Sequence, residues 1–105
     1  MNPVAFSALA ESNRFQIVEL LRNNPQRVGE IANTLGIRQP QASKHLKILS
    51  DAGIVEVHPL ANQRIYALSP KKFREIDRWL ENYRMLWEDR FDRLDTFLQK
   101  EKQKS

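Results

Sequence analysis

The spacing of apolar residues changes along the chain, and each change predicts an element. Residues 4 to 11 read as a short apolar helix. Ser12 or Asn13 is placed to cap a second helix, in which Phe15, Ile17, Val18, Leu20 and Leu21 are mostly buried and which Asn23, Asn24 and Pro25 end. In VGEIANTLG, Val28, Ile31, Ala32 and Leu35 fall at helical spacing, and Gly36 stands where a left-handed cap stops the helix. Pro40 suits the first turn of the next helix, because its missing N–H needs no partner there. That helix turns Ala42, Leu46, Leu49 and Ala52 inward and ends at Gly53. IVEVH and RIYAL then alternate as strands do, with PLANQ as the turn between them. Ser69 caps a last helix with Pro70 at its first position, and an amphipathic pattern runs from Phe73 to about Leu98 without a Gly or Pro. A helix of that length, roughly 40 Å at 1.5 Å per residue, exceeds what so small a body covers by itself.

The inward stripe of the fourth helix leaves Gln41, Lys44 and Lys47 outside, with Gln39, Ser43 and His45 at the margins. Two helices joined by a tight turn at 36–39, the second polar on its outer face and followed by a hairpin, make the plan of a winged helix-turn-helix. The fold class is therefore mainly α with a small β-hairpin and a long C-terminal helix. The DNA major groove admits one such helix, and its base edges match the donors and acceptors of Gln and Lys. Ser43 and nearby cations suit phosphate oxygens. The expected DNA-contacting set is Gln39, Gln41, Ser43, Lys44, His45 and Lys47 on the helix at 39–52, with Asn62, Gln63 and Arg64 on the wing at 54–68. Gln39 and Gln41 are expected to read bases, while Lys47, Arg64 and His45 hold register on the backbone. For His45 a second role stands beside that one, packing that orients the helix.

Charge distribution supports this choice. Of the 105 residues, 1–36 carry three basic and three acidic side chains, 37–74 carry seven basic against two acidic, and 75–105 carry seven against eight. The whole excess behind the net charge of +4 lies in the segment that holds the polar helix and the hairpin, as a polyanion-binding surface requires. The length suits one domain: a DNA-binding core at 4–69, a long dimerisation helix at 70–100 and a frayed tail at 101–105. With no cysteine, the chain has no disulfide, thiolate metal ligand or catalytic thiol. No apolar run is long enough to span a membrane, and the first residues lack a secretory pattern, so the expected compartment is the cytoplasm and no membrane partner is expected.

The run from LAESNRFQIVELL through VGEIANTLGIRQPQASKHLKILSDAGIVEVH to NQRIYALSP resembles the ArsR/SmtB family of repressors, with QASKHLKILSDAGIV the most specific part. The resemblance covers about residues 4 to 70. It implies a homodimeric transcriptional repressor bound to a partly palindromic double-stranded DNA operator, paired through the first and last helices. Phe6, Leu9, Tyr83, Trp87, Phe91, Leu94 and Leu98 are the interface residues expected on that basis. Many members of the family sense metals through a Cys-x-Cys pair or through Asp and His on the last helix. Here there is no thiol, and the last helix has no histidine, so neither a metal nor a cofactor is expected. An effector, whether a protein or a small molecule, has no sequence signature.

Plainer alternatives exist for the same residues. An aromatic stripe at helical spacing, Trp79, Tyr83 and Trp87 among it, serves as core or interface more often than as a ligand pocket, because no polar cluster accompanies it. No Gly-rich phosphate loop, G-x-S-x-G or paired nucleophile and base is present, which argues against an enzyme. The rival in another class is a winged helix used only for protein contact, as an anti-repressor or scaffold.

Overall fold

The structure is a computed structural model and describes residues 1–88 and 93–104. Helix α1 (Val4–Leu9) is followed by α2 (Ser12–Leu21), a short strand β1 (Gln26–Arg27), α3 (Val28–Leu35), α4 (Gln39–Asp51), the hairpin β2 (Val55–Leu60) and β3 (Gln63–Leu68), and α5 (Pro70–Glu81). A 3-10 turn at Arg84–Leu86 and α6 (Arg93–Lys104) complete the described chain.

The core is built where one stripe from each helix meets the base of the sheet. Ile17 of α2, Ile31 of α3, Leu46 and Leu49 of α4 and Ile54 before β2 are fully enclosed, each gaining about 1.5–3 kcal/mol over exposure. Ala5 and Ala8 of α1 and Tyr66 of β3 close the cluster. Ala42, Leu46, Leu49 and Ala52 are all buried, so the inward stripe expected of α4 is the observed one. Phe15 is the exception in α2: it is 54% exposed, while Ile17 and Leu21 are buried. A helix apolar on several sides does not reveal which side the core takes.

Two caps control the geometry of α3 and α4. Gly36 follows α3 at φ 67°, a left-handed conformation that Gly adopts without penalty, and its N–H returns to Asn33 O. The chain then turns directly into α4, with Pro40 in the first turn. The cap of α2 differs from expectation: the N-cap is Glu11, whose carboxylate accepts the Arg14 N–H at 2.9 Å, and Ser12 already lies inside the helix. A carboxylate at the positive end of a helix gains from both the bond and the dipole.

The sheet has three strands, antiparallel throughout, in the order β1-β3-β2. Gln26 and Arg27 pair with Tyr66 and Ile65, a third strand beyond the expected hairpin. The hairpin register runs from Val55 opposite Leu68 to Leu60 opposite Gln63. This leaves Ala61 and Asn62 as the turn, with Ala61 at φ 55°. The Ser69 hydroxyl accepts the Lys72 N–H at 3.2 Å and starts α5 as expected.

The single long helix expected from Phe73 to Leu98 is instead divided: α5 stops at Glu81, and the Tyr83 N–H bonds back only three residues, to Leu80 O at 2.9 Å. Asn82 and Tyr83 are weak helix formers. Among the described residues the large apolar side chains beyond Glu81 are exposed, so the tertiary gain that sustains long helices is missing for them. The expected helix residues Asp89 to Asp92 lie outside the described residues.

The α3–turn–α4 pair with the β2–β3 hairpin packed beside it is a winged helix-turn-helix.

Candidate nucleic-acid interface

Burial of Ala42, Leu46 and Leu49 fixes the rotation of α4 about its own axis, and Gln39, Gln41, Ser43, Lys44 and Lys47 are exposed as a result. At 13 residues the helix is about 20 Å long, enough to lie along one groove. Gln41 Oε1 accepts the Arg38 N–H at 3.3 Å, which satisfies a helix-start donor and leaves the amide nitrogen able to donate elsewhere. Lys47 Nζ stands 3.4 Å from Asp51 in an exposed pair. Such a pair is weak in water, so Asp51 holds the ammonium only loosely.

The hairpin brings its tip to the start of α4. Arg27, Val28, Gly29, Glu30, Gln39, Ser43, Asn62, Gln63, Arg64 and Tyr66 line one open cleft of about 540 Å³. Five of the sequence-predicted residues, Gln39, Ser43, Asn62, Gln63 and Arg64, are therefore together. Gln41 and Lys44 line a neighbouring hollow of about 240 Å³ with Arg38 and Pro40. Two cations on this surface escaped the sequence reading. Arg27 belongs to β1, donates from Nε to Gln63 Oε1 and lies 3.5 Å from Glu30; it ties the wing tip to the start of α3. Arg38 immediately precedes α4, and its place directly before a polar helix is the signal that could have found it.

His45 sits apart from this surface. Its side chain is 19% exposed, with Nδ1 3.6 Å from Glu11 Oε2 and 3.4 Å from Arg14 Nη1. The Glu11 carboxyl is held below its ordinary value of 4.5, first by the Arg14 N–H it accepts; partial desolvation opposes this, and the Asn13 N–H and the nearby His45 and Arg14 side chains add to the lowering. His58, on the wing, pairs with Glu56 at 3.0 Å.

The expected interface residues fall into two groups. Phe6 of α1 meets Trp79 of α5 at a tilt with ring centroids 5.0 Å apart, and Trp79 meets Tyr83 likewise at 4.9 Å, while Leu9 packs on the core. Tyr83, Trp87, Leu94 and Leu98 are exposed, as are Leu80, Met85, Leu86 and Phe97; Phe91 lies outside the described residues. Among the described residues no group of three or more His, Asp or Glu side chains is placed to hold a metal ion, and no helix is long and apolar enough to cross a membrane.

The model of the family described as bacterial regulatory protein, arsR family, matches residues 11–57, from the cap of α2 into β2. The HTH-type transcriptional regulator Rv2034 of Mycobacterium tuberculosis is 42% identical over 66 residues, 63% of this chain and 62% of its own, so the chain spans less than two thirds of that relative's length. The transcriptional repressor SdpR of Bacillus subtilis is 30% identical over 83 residues, 79% of this chain and 91% of its own. Among solved structures, an ArsR family transcriptional regulator superimposes with a TM-score of 0.71 at 30% identity, covering 83% of this chain and 96% of that one. The homodimeric winged helix-turn-helix DNA-binding domain Mb0332 of Mycobacterium bovis has the same fold, with a TM-score of 0.65 at 22% identity over 85% of this chain and 82% of its own.

Proposed function

The chain belongs to the ArsR family of bacterial regulatory proteins, and from that premise we propose that it is a sequence-specific DNA-binding transcriptional regulator, acting as a homodimeric repressor. One observation carries the reading: the exposed face of α4 and the tip of the wing converge on a single cleft whose polar lining is Gln39, Ser43, Asn62, Gln63, Arg64 and Arg27. The convergence of a helix and a hairpin suits a duplex, whose major groove takes the helix while the flanking backbone or minor groove meets the wing.

In this reading Gln39, Gln41 and Lys44 face base edges. Ser43, Lys47, Arg64, Arg27 and Arg38 engage phosphates, which set register and supply most of the affinity. Arg27, held against Gln63, keeps the wing tip against the start of α3. The apolar side chains exposed beyond Glu81 are buried against α1 and the same segment of a second chain, and the two-fold axis presents two copies of α4 to one side of the duplex. The homodimeric Mb0332 supports this arrangement, and SdpR, a transcriptional repressor, supports the direction of regulation: bound across a promoter, the dimer blocks access to it.

Titration of the intact protein with a fluorescent duplex at several salt concentrations tests the function. Affinity should fall steeply and linearly with salt on a logarithmic plot, and Arg27→Ala and Arg64→Ala should each make the slope shallower by about one. A winged helix that serves only protein contact gives no retained duplex at low salt, and that result would refute the reading.

A further inference from the structure

The α4 histidine turns away from the cleft, toward a joint between three helices. Its Nδ1 lies 3.4 Å from Arg14 Nη1 and 3.6 Å from Glu11 Oε2. Arg14 Nε in turn donates to Ala8 O of α1 at 2.7 Å, and Glu11 Oε2 accepts the Arg14 N–H that starts α2. The three side chains are mostly shielded, at 19% exposure for His45, 16% for Arg14 and 34% for Glu11. The apolar stripe of α4 resists rolling only through side chains that slide over one another. A polar contact with a defined direction fixes the roll angle, because a hydrogen-bonding group displaced from its partner in a shielded site loses the bond without regaining water.

We propose that His45 is a positioning residue for DNA recognition: met at Nδ1 by the Arg14 guanidinium, with Glu11 beside both, it fixes the rotational setting of α4 relative to α1 and α2, and it does so without touching DNA. The inference rests on the DNA-reading function proposed above. A small roll of α4 shifts Gln41 and Lys44 along the groove, and misplacement of base-reading groups costs affinity on the correct sequence more than on an arbitrary one. Of the three groups, Glu11 makes the sharpest test, since it is an acid. Simple charge attraction predicts that neutralising it strengthens binding to a polyanion, whereas loss of the joint predicts the opposite sign.

The experiment compares the wild-type dimer with Glu11→Gln, His45→Ala, His45→Asn, the Glu11→Gln/His45→Ala double variant and Lys47→Ala. Each is titrated against the tightest duplex recovered from a random pool and against a random-sequence duplex of the same length. Glu11→Gln keeps an oxygen to accept the Arg14 N–H, so α2 retains its cap. His45→Asn keeps a hydrogen-bonding atom close to the Nδ1 position. The expected result is about tenfold weaker binding of the selected duplex by His45→Ala, weaker binding by Glu11→Gln as well, a double variant no worse than His45→Ala alone, and recovery of most of the affinity in His45→Asn. The salt slope should stay at the wild-type value for the three single variants at Glu11 and His45 and drop by about one for Lys47→Ala. Tighter binding by Glu11→Gln, additive losses in the double variant, or a slope that drops in His45→Ala as it does in Lys47→Ala would overturn the inference in favour of a plain surface charge or a direct phosphate contact. Failure of the DNA-reading function itself shows earlier and separately, as a wild-type protein that retains neither duplex, and it would remove the inference with it.

Discussion

Gln41 and Lys44 line the same hollow beside Arg38, on the side of α4 opposite its buried alanine and leucines, and this sets what each substitution should do. Gln41→Ala or Lys44→Ala should lower affinity for the preferred sequence by about 1–3 kcal/mol and relax base preference, while Lys47→Ala and Arg64→Ala should weaken all duplexes alike. Equal losses on specific and random DNA for all four would remove Gln41 and Lys44 from base reading. Acidity should act through two carboxylates. Glu11 is held below its ordinary value chiefly by the Arg14 N–H, and Glu75 chiefly by the hydrogen bond from Lys72 Nζ at 3.0 Å. A carboxyl whose folded value is depressed adds stability that is fully present above its unfolded value, near 4.5, and is lost as pH falls through the lower folded value. The thermal midpoint should therefore drop on acidification below about 4.5, and Glu11→Gln should flatten that drop; an unchanged acid profile in Glu11→Gln would contradict the assignment. Which residues carry the surface was largely legible one by one: a polar residue on a helix whose other face is apolar must point out. For His45 the sequence offers a phosphate contact and a packing role side by side, and its partners Glu11 and Arg14 were not legible, because they lie more than thirty residues away and are brought close only by the fold.

Elements were legible where a local cause fixes them. Gly36 and Gly53 with positive φ, Pro40 and Pro70 in first turns and the Ser69 cap all act over a few residues, so α3, α4 and the start of α5 follow from the sequence. The tip of the hairpin carries a testable weakness of the same local kind. Ala61 at φ 55° occupies a conformation that costs an L-residue roughly 1 kcal/mol and costs Gly nothing. Ala61→Gly should raise the free energy of unfolding by up to about 1 kcal/mol in urea, and a loss of stability would show that the backbone there is not left-handed in solution. Three features needed the tertiary structure. Strand β1 is two residues long, too short for an alternating pattern, and forms only because β3 offers an edge. With Ser12 and Asn13 adjacent, the cap of α2 falls to Glu11, whose longer side chain reaches the Arg14 N–H. The break after Glu81 marks where an amphipathic pattern persists but its packing partner does not, which a pattern alone cannot register.

For the molecule as a whole, charge and exposed apolar surface divide the labour. The basic excess lies in the segment that forms α4 and the wing, and more than half of the exposed large apolar side chains among the described residues, Leu80, Tyr83, Met85, Leu86, Trp87, Leu94, Phe97 and Leu98, lie in the last third of the chain, where Leu86 is 82% and Trp87 58% exposed. So many exposed large apolar side chains within one short segment are unusual on a monomer and common at an interface between subunits. Trp87→Glu should leave the fold of the single chain intact, since the site is already open to solvent, yet give a monomer in sedimentation at micromolar concentration, because a second chain would have to bury an unpaired carboxylate. A Trp87→Glu protein that still sediments as a dimer would place the interface elsewhere. Whether a dimer reads a defined DNA sequence with two copies of α4 is decided by selecting bound duplexes from a random pool with the intact protein at moderate salt. Such a dimer should enrich an inverted repeat whose half-site centres lie about one helical turn, some 10–11 base pairs, or slightly more apart. A pool that stays random after repeated rounds, or an enriched single half-site without symmetry, would contradict the dimeric reading.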